Sequence, residues 1–186
     1  ATVARINDSK DSVFGELRVT TTTGFGTLWL APRLKILYER HPRIQINLML
    51  EERLLNLSMR EADVAIRLQP PSQADLIQRK LFSIRVHFFA TKDYISKKGL
   101  PKNIDELSSN HRLICYDPDS NQISAAKRFI APFLSKKNFS LLLLNNYYGI
   151  FRAVRNGLGV GTLPDYLAKD FPELVRVLPE FQSEVV

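Results

Sequence analysis

The feature of this 186-residue chain that most narrows its fold is the order in which its hydrophobic periods change. Leu17 and Val19 alternate with polar neighbours, which predicts a short strand running into a small-residue loop, Thr20 to Gly26. Leu30, Leu34, Leu37 and Tyr38 then recur at helical spacing, with Pro42 as the stop. Ile44, Ile46, Leu48 and Leu50, separated by polar residues such as Gln45 and Asn47, predict a strand with one apolar row. Leu54, Leu57 and Met59 suggest a short helix, after which Val64, Ile66 and Leu68 alternate until Pro70 and Pro71. Strand, helix, strand, helix, strand is the rhythm of a parallel sheet with crossover helices.

The rhythm then resets, with a join expected near His87 to Thr91. Arg85 to Thr91 reads as a strand, Lys97 to Pro101 as a polar segment, Ile104 to Leu107 as a helical turn, and Leu113 to Tyr116 as a strand. Ile123 to Leu134 is helix-like until Pro132 ends or kinks it. Phe139 to Leu144 is nearly all apolar, as expected of a central strand buried on both faces. Ile150, Val154 and Leu158 share a helical face that Gly157 is placed to cap, and Val160 to Leu163 and Leu174 to Leu178 predict two more strands. The expectation is an α/β chain of two Rossmann-like lobes, 15–88 and 89–186, with 1–14 as the end of a linker.

Composition excludes more than it selects. Hydrophobic residues at 45% and charged residues at 24% are those of an ordinary globular domain. No uncharged run approaches the roughly 20 apolar residues of a membrane-spanning helix, and no apolar leader is visible, so a cytoplasmic location is expected. The net charge of +7 is scattered in pairs such as Arg79/Lys80, Lys97/Lys98 and Lys136/Lys137, which does not by itself make a nucleic-acid surface. His41, His87 and His111 lie far apart without ligand spacing, so no metal site is expected. Nor does any GxSxG elbow occur, so no catalytic residue is assigned. The single cysteine, Cys115, rules out a disulfide framework and falls inside an apolar strand; it is either an inert small hydrophobe or a redox-sensing thiol. Gly157, Gly159 and Gly161 follow a helix and open a strand, the reverse of a phosphate-cradling turn. What remains is a set of polar groups at strand ends: Thr21 to Thr23, Glu51 and Glu52, Arg67, and Asn145 to Tyr147. In open α/β sheets those ends border ligand crevices.

Several segments, in order, resemble one family. They are Gly15-Glu-Leu-Arg-Val19, Leu30-Ala-Pro-Arg-Leu34, Tyr38-Glu-Arg-His-Pro42-Arg-Ile-Gln-Ile46, Ala62-Asp-Val-Ala-Ile-Arg67, Arg79-Lys-Leu81, Ala90-Thr-Lys-Asp-Tyr94, and Ala153 to Pro164. From about Gly15 to Leu178 the chain is similar to the effector-binding domain of LysR-type transcriptional regulators. Met59 to Arg67, with Asp75 to Leu81, is also similar to the alphaproteobacterial LsrB-type subgroup.

The resemblance implies two lobes like those of type II periplasmic binding proteins, with a small-molecule effector in the cleft between them. The effector-binding positions it implies are Thr22, Thr23, Gly24, Glu51, Glu52, Arg67, Asn146 and Tyr147. It implies no cofactor and no enzyme activity. Its partners are an effector, a second copy of the chain, and DNA only through an N-terminal winged helix-turn-helix. That domain is missing here, as is the final crossover return to the first lobe, so a fragment is expected. Dimerisation is implied through the helix Leu28 to Arg40 and the neighbouring strand, where Trp29 and Tyr38 are either interface aromatics or core residues. Two carboxylates on one loop, Glu51 and Glu52, argue against assuming an anionic effector. Arg67 is expected to orient an acidic effector group or, without ligand, one of those glutamates; a purely structural ion pair is the alternative. The rival functions are a periplasmic-type solute-binding protein and a thiol-based sensor using Cys115.

Overall fold

The structure is a computed structural model that describes residues 13–52, 62–68, 76–117, 129–131, 133 and 140–185. The chain divides into two compact units, Ala1–Gln78 and Arg79–Val186. The division precedes the expected join by ten residues, because the strand that contains His87 pairs along its whole length inside the second unit.

In the first unit, β1 (Phe14–Thr21) lies between β2 (Arg43–Leu50) and β3 (Val64–Ile66), and both pairings are parallel. This is the expected sheet. β3 joins β1 only from Val19 onward, and there β1 passes from half-exposed to fully buried. The helix expected at Leu54 to Met59 lies outside the described residues.

The predicted loop at Thr20 to Gly26 is instead partly helical. Helix α1 (Thr23–Phe25) runs without interruption through a π turn (Gly26–Leu30) into α2 (Ala31–Arg40). Pro32 explains the turn: its nitrogen cannot donate to Leu28, and its ring crowds that carbonyl. The backbone takes in one extra residue, so Ala31 N–H reaches Gly26 O five residues back. Arg33 Nη1 donates to Trp29 O at 3.0 Å, and its guanidinium lies 4.6 Å from the Trp29 ring centre. Trp29 in turn stacks on buried Phe25 at 4.9 Å. Gly26 is required by proximity, since a Cβ there would stand 2.2 Å from Leu50 Cδ2 and 2.9 Å from Thr21 Cγ2.

In the second unit a five-stranded sheet has the order β6-β5-β7-β4-β8, with β4 (Ile84–Thr91), β5 (Leu113–Tyr116), β6 (Leu141–Leu144), β7 (Val160–Pro164) and β8 (Leu174–Val185). β5 is parallel to β6 and β7, whereas β4 is antiparallel to β7 and β8. The apolar run Leu141 to Leu144 is therefore not central: β6 ends the order of described strands, and Leu143 is 38% exposed. The wholly buried inner strands are β5 and its neighbour β7. Phe88, Leu107, Leu113, Cys115, Val160 and Val177 form the core around them.

The polar segment expected at Lys97 to Pro101 begins in the last turn of helix α3 (Lys92–Lys98), capped by Thr91 Oγ1, which accepts from Tyr94 N at 3.1 Å. Helix α4 (Ile104–Asn110) follows, capped by Asn103. Helix α5 (Tyr147–Arg155) buries Ile150 and Val154 as expected. Its end has the Schellman pattern, with Gly157 N–H to Val154 O, Leu158 N–H to Ala153 O, and Gly157 at φ +71°.

Candidate functional site

The carboxyl ends of the parallel strands in the first unit bring six of the expected effector residues together. β1 delivers buried Thr20 and Thr21 and then Thr22, the N-cap residue, with Thr23 and Gly24 opening the helix. β2 delivers Glu51 and Glu52 beside them, tied in where Glu51 N–H donates to Thr21 O at 2.9 Å. Arg67 follows β3 on the far side of β1.

The contacts within this group differ from the expected ion pair. Arg67 Nη1 donates to the main-chain carbonyl of Glu51 at 2.6 Å, and Nη2 donates to Thr20 Oγ1 at 2.7 Å. The guanidinium therefore clasps β2 to β1 through one backbone and one hydroxyl oxygen. Burial pulls its pKa below the ordinary value, opposed by the charges of Glu52 and Glu51. Glu52 reaches back across the loop, where its Oε1 accepts from Thr23 N–H at 2.8 Å. The N-cap side chain of Thr22 makes no cap bond, so a carboxylate distant in sequence satisfies the first helical amide. Thr20 was not among the expected site residues; its only sequence signal is membership of the threonine run.

In the second unit Asn146 caps α5, its Oδ1 accepting from Gly149 N at 2.7 Å and its Nδ2 donating to Asn145 Oδ1 at 3.0 Å. Tyr147 is buried with its ring 5.1 Å from Tyr116.

The other candidate chemistries resolve into packing. Cys115 is 0% exposed, and burial pushes its thiol up to about 12, against a lowering hydrogen bond from Thr162. It is protonated and inaccessible at neutral pH, which is poor chemistry for a redox thiol. His87 is buried with Nδ1 2.7 Å from Asp165 Oδ1, and Arg176 Nη2 lies 3.1 Å from the other oxygen of that carboxylate. His111 packs against Tyr94, Nδ1 to hydroxyl 3.2 Å, and its pKa is lowered by burial and by Lys98, opposed by Glu106. No cluster of three metal-ligating side chains occurs among the described residues. A Cβ at Gly161 would stand 2.2 Å from Val154 Cγ2, so the glycine run serves helix-to-strand packing. No described helix is long and apolar enough to cross a membrane.

The architecture has close counterparts. The regulatory domain of CrgA, a LysR-type transcriptional regulator from Neisseria meningitidis, superposes with a TM-score of 0.70 at 22% identity, covering 92% of this chain and 88% of that one. The longer CrgA structure gives 0.72 over 92% of this chain and 61% of its own. The fold is thus that of LysR regulatory domains, with the lobes of a periplasmic-binding-protein type, as the resemblance implied. The family described as the LysR substrate binding domain matches residues 10–186, and the chain belongs to it. An uncharacterized HTH-type transcriptional regulator of Haemophilus influenzae is 26% identical over 182 residues. That match takes in 96% of this chain but 63% of the relative's length.

Proposed function

We propose that the chain is the effector-sensing part of a LysR-type transcription factor. The observation that carries this is the family match along residues 10–186, coinciding with the strand-end cluster Thr22, Thr23, Gly24, Glu51, Glu52 and Arg67 in the first unit. Asn146 and Tyr147 are the further effector contacts in the second unit. A small molecule that engages these groups changes the packing of a longer cytoplasmic protein, whose N-terminal winged helix-turn-helix contacts DNA. On this reading the chain has no catalytic task.

Self-association belongs to the same reading. Helix α2 buries none of its side chains, and Ile36 at 54% and Tyr38 at 38% exposure leave apolar side chains on its surface for a second copy to cover. Light scattering is expected to show a dimer, and a monomer at high concentration would refute that arrangement.

The test of the function uses the longer protein on its operator DNA, screened for compounds that change the footprint. Substitutions Thr23→Val and Asn146→Ala are expected to abolish that response while DNA affinity without effector is retained. An unchanged response in both would remove these residues from the effector site.

A further inference from the structure

A buried histidine is held in place only while each of its ring protons has somewhere to go. His111, at the C-terminal end of α4, is 5% exposed, and its Nδ1 stands 3.2 Å from the hydroxyl of Tyr94, itself 8% exposed. The main-chain N–H of Arg112 also donates to that hydroxyl, so the oxygen already receives one proton and directs its own at His111 Nδ1. The imidazole is therefore the neutral tautomer that carries its hydrogen on Nε2. A second proton can enter only at Nδ1, where it turns the Tyr94 proton away from its acceptor. The surroundings also oppose a cation. Lys98 faces the ring from α3 and Arg112 from the start of β5, with Glu106 of α4 as the opposing carboxylate. Burial and Lys98 together pull the His111 pKa below its ordinary value. What the contact holds is α3: Tyr94 is the buried residue of that seven-residue helix, Ile95 packs half-buried on the core, and the Lys97–Asp93 pair is exposed.

We propose that His111 makes the second unit responsive to acid: taking up a proton breaks the Tyr94–His111 contact and releases α3 from the body of the unit. Imidazole in water binds a proton at higher pH than the buried ring does, so the released state holds more protons than the docked one, and a fall in pH shifts the balance towards release. The device is separate from the effector residues proposed above and stands or falls without them.

The test is amide hydrogen exchange of the 186-residue chain, followed by NMR from about pH 7.5 to about pH 4.5 and corrected for the intrinsic pH dependence of exchange, with the His111 ring resonances read in the same samples. Protection at Tyr94 to Lys98 is expected to fall by up to about tenfold per pH unit below about pH 6.5, in step with the His111 ring, while Ile114 and Cys115 in β5 stay protected. His111→Gln keeps an oxygen to accept from Tyr94 and takes up no proton, so α3 should stay protected across the whole range. If His111→Gln does not fold, Tyr94→Phe carries the test: it removes the donor to Nδ1, and His111 should then titrate at higher pH. The proposal is overturned if α3 keeps its protection to the acid end in the unaltered chain, or if β5 loses protection together with α3. It is equally overturned if a folded His111→Gln loses protection as the unaltered chain does, or if His111 titrates unchanged in Tyr94→Phe.

Discussion

Replacing Arg67 by alanine tests how the first unit is held together. The side chain makes two charge-assisted hydrogen bonds, to Glu51 O and to Thr20 Oγ1, and the Thr20 residue is 0% exposed. The variant removes both donors and leaves their acceptors behind. Each buried acceptor left without a partner costs about 1–3 kcal/mol. Arg67 is only half-buried, and water entering the vacated space rehydrates the outer acceptor first. The expected loss is therefore about 2–3 kcal/mol rather than the sum of two full penalties. Arg67→Lys should fall between, at about 1 kcal/mol, because an ammonium restores a charge but not a planar fork spanning two oxygens. The assay is urea unfolding followed by tryptophan fluorescence. Trp29 is the single tryptophan and belongs to the first unit, so its signal is not mixed with melting of the second. An Arg67→Ala midpoint within about 0.3 kcal/mol of the unaltered chain, at equal slope, would refute the clasp.

The remaining predictions concern the second unit. Cys115 should be silent to a thiol reagent in the native state and react only on unfolding; rapid native labelling would contradict its burial. Its thiol is raised from 9.0 to about 12, so the protonated form is favoured by folding. The associated stability is full below pH about 9 and is lost as pH rises toward 12, a loss that should be smaller in Cys115→Ala when the two chains are compared by denaturant titration. Gly157→Ala should cost about 1–2 kcal/mol from its positive φ alone, because no atom stands within 4 Å of the added methyl. Gly161→Ala should cost about 1–3 kcal/mol by overpacking against Val154, and Val154→Ala should relieve part of that cost but none of the Gly157 cost; equal effects in both backgrounds would refute the distinction. Asn146→Ala should remove about 1 kcal/mol by uncapping α5, read as lost helicity in a thermal melt.

The parts of the fold that could be read from residues alone are those where one face is buried and the other wet. β1 and β2 alternate for that reason, and their parallel pairing followed from the helix pattern between them. Leu141 to Leu144 misled because an all-apolar run records hydrophobic neighbours on both faces, not a place in strand order. Helix α3 gave no stripe because Tyr94 is its only buried residue; what defines it is a cap at Thr91 and a Lys97–Asp93 pair at 2.8 Å. At the site, the strand-end reading named Thr21 to Thr23, Glu51, Glu52 and Arg67, with Gly24 added by the family resemblance. It did not assign Arg67 its acceptor. A sequence displays carboxylates, whereas the partner is a backbone carbonyl whose position exists only once β1 and β2 are paired.

The π turn before Pro32 makes the direction of α2 a matter of counting. Along an α-helix each residue advances the face by 100°, and the turn at Gly26–Leu30 absorbs one residue beyond that rule. The side chains of Ala31–Arg40 therefore point where they do through the number of residues after Thr23 as well as through their own chemistry. Relaxing the turn to plain α geometry at the same chain length would swing Ile36 and Tyr38 by about 100°, whereas removing one residue from it would restore α geometry and leave them facing as they do. The orientation of the exposed helix is thus stored in the turn between the strand-end cluster and Pro32, and among the residues of α2 it is Pro32 that holds it there.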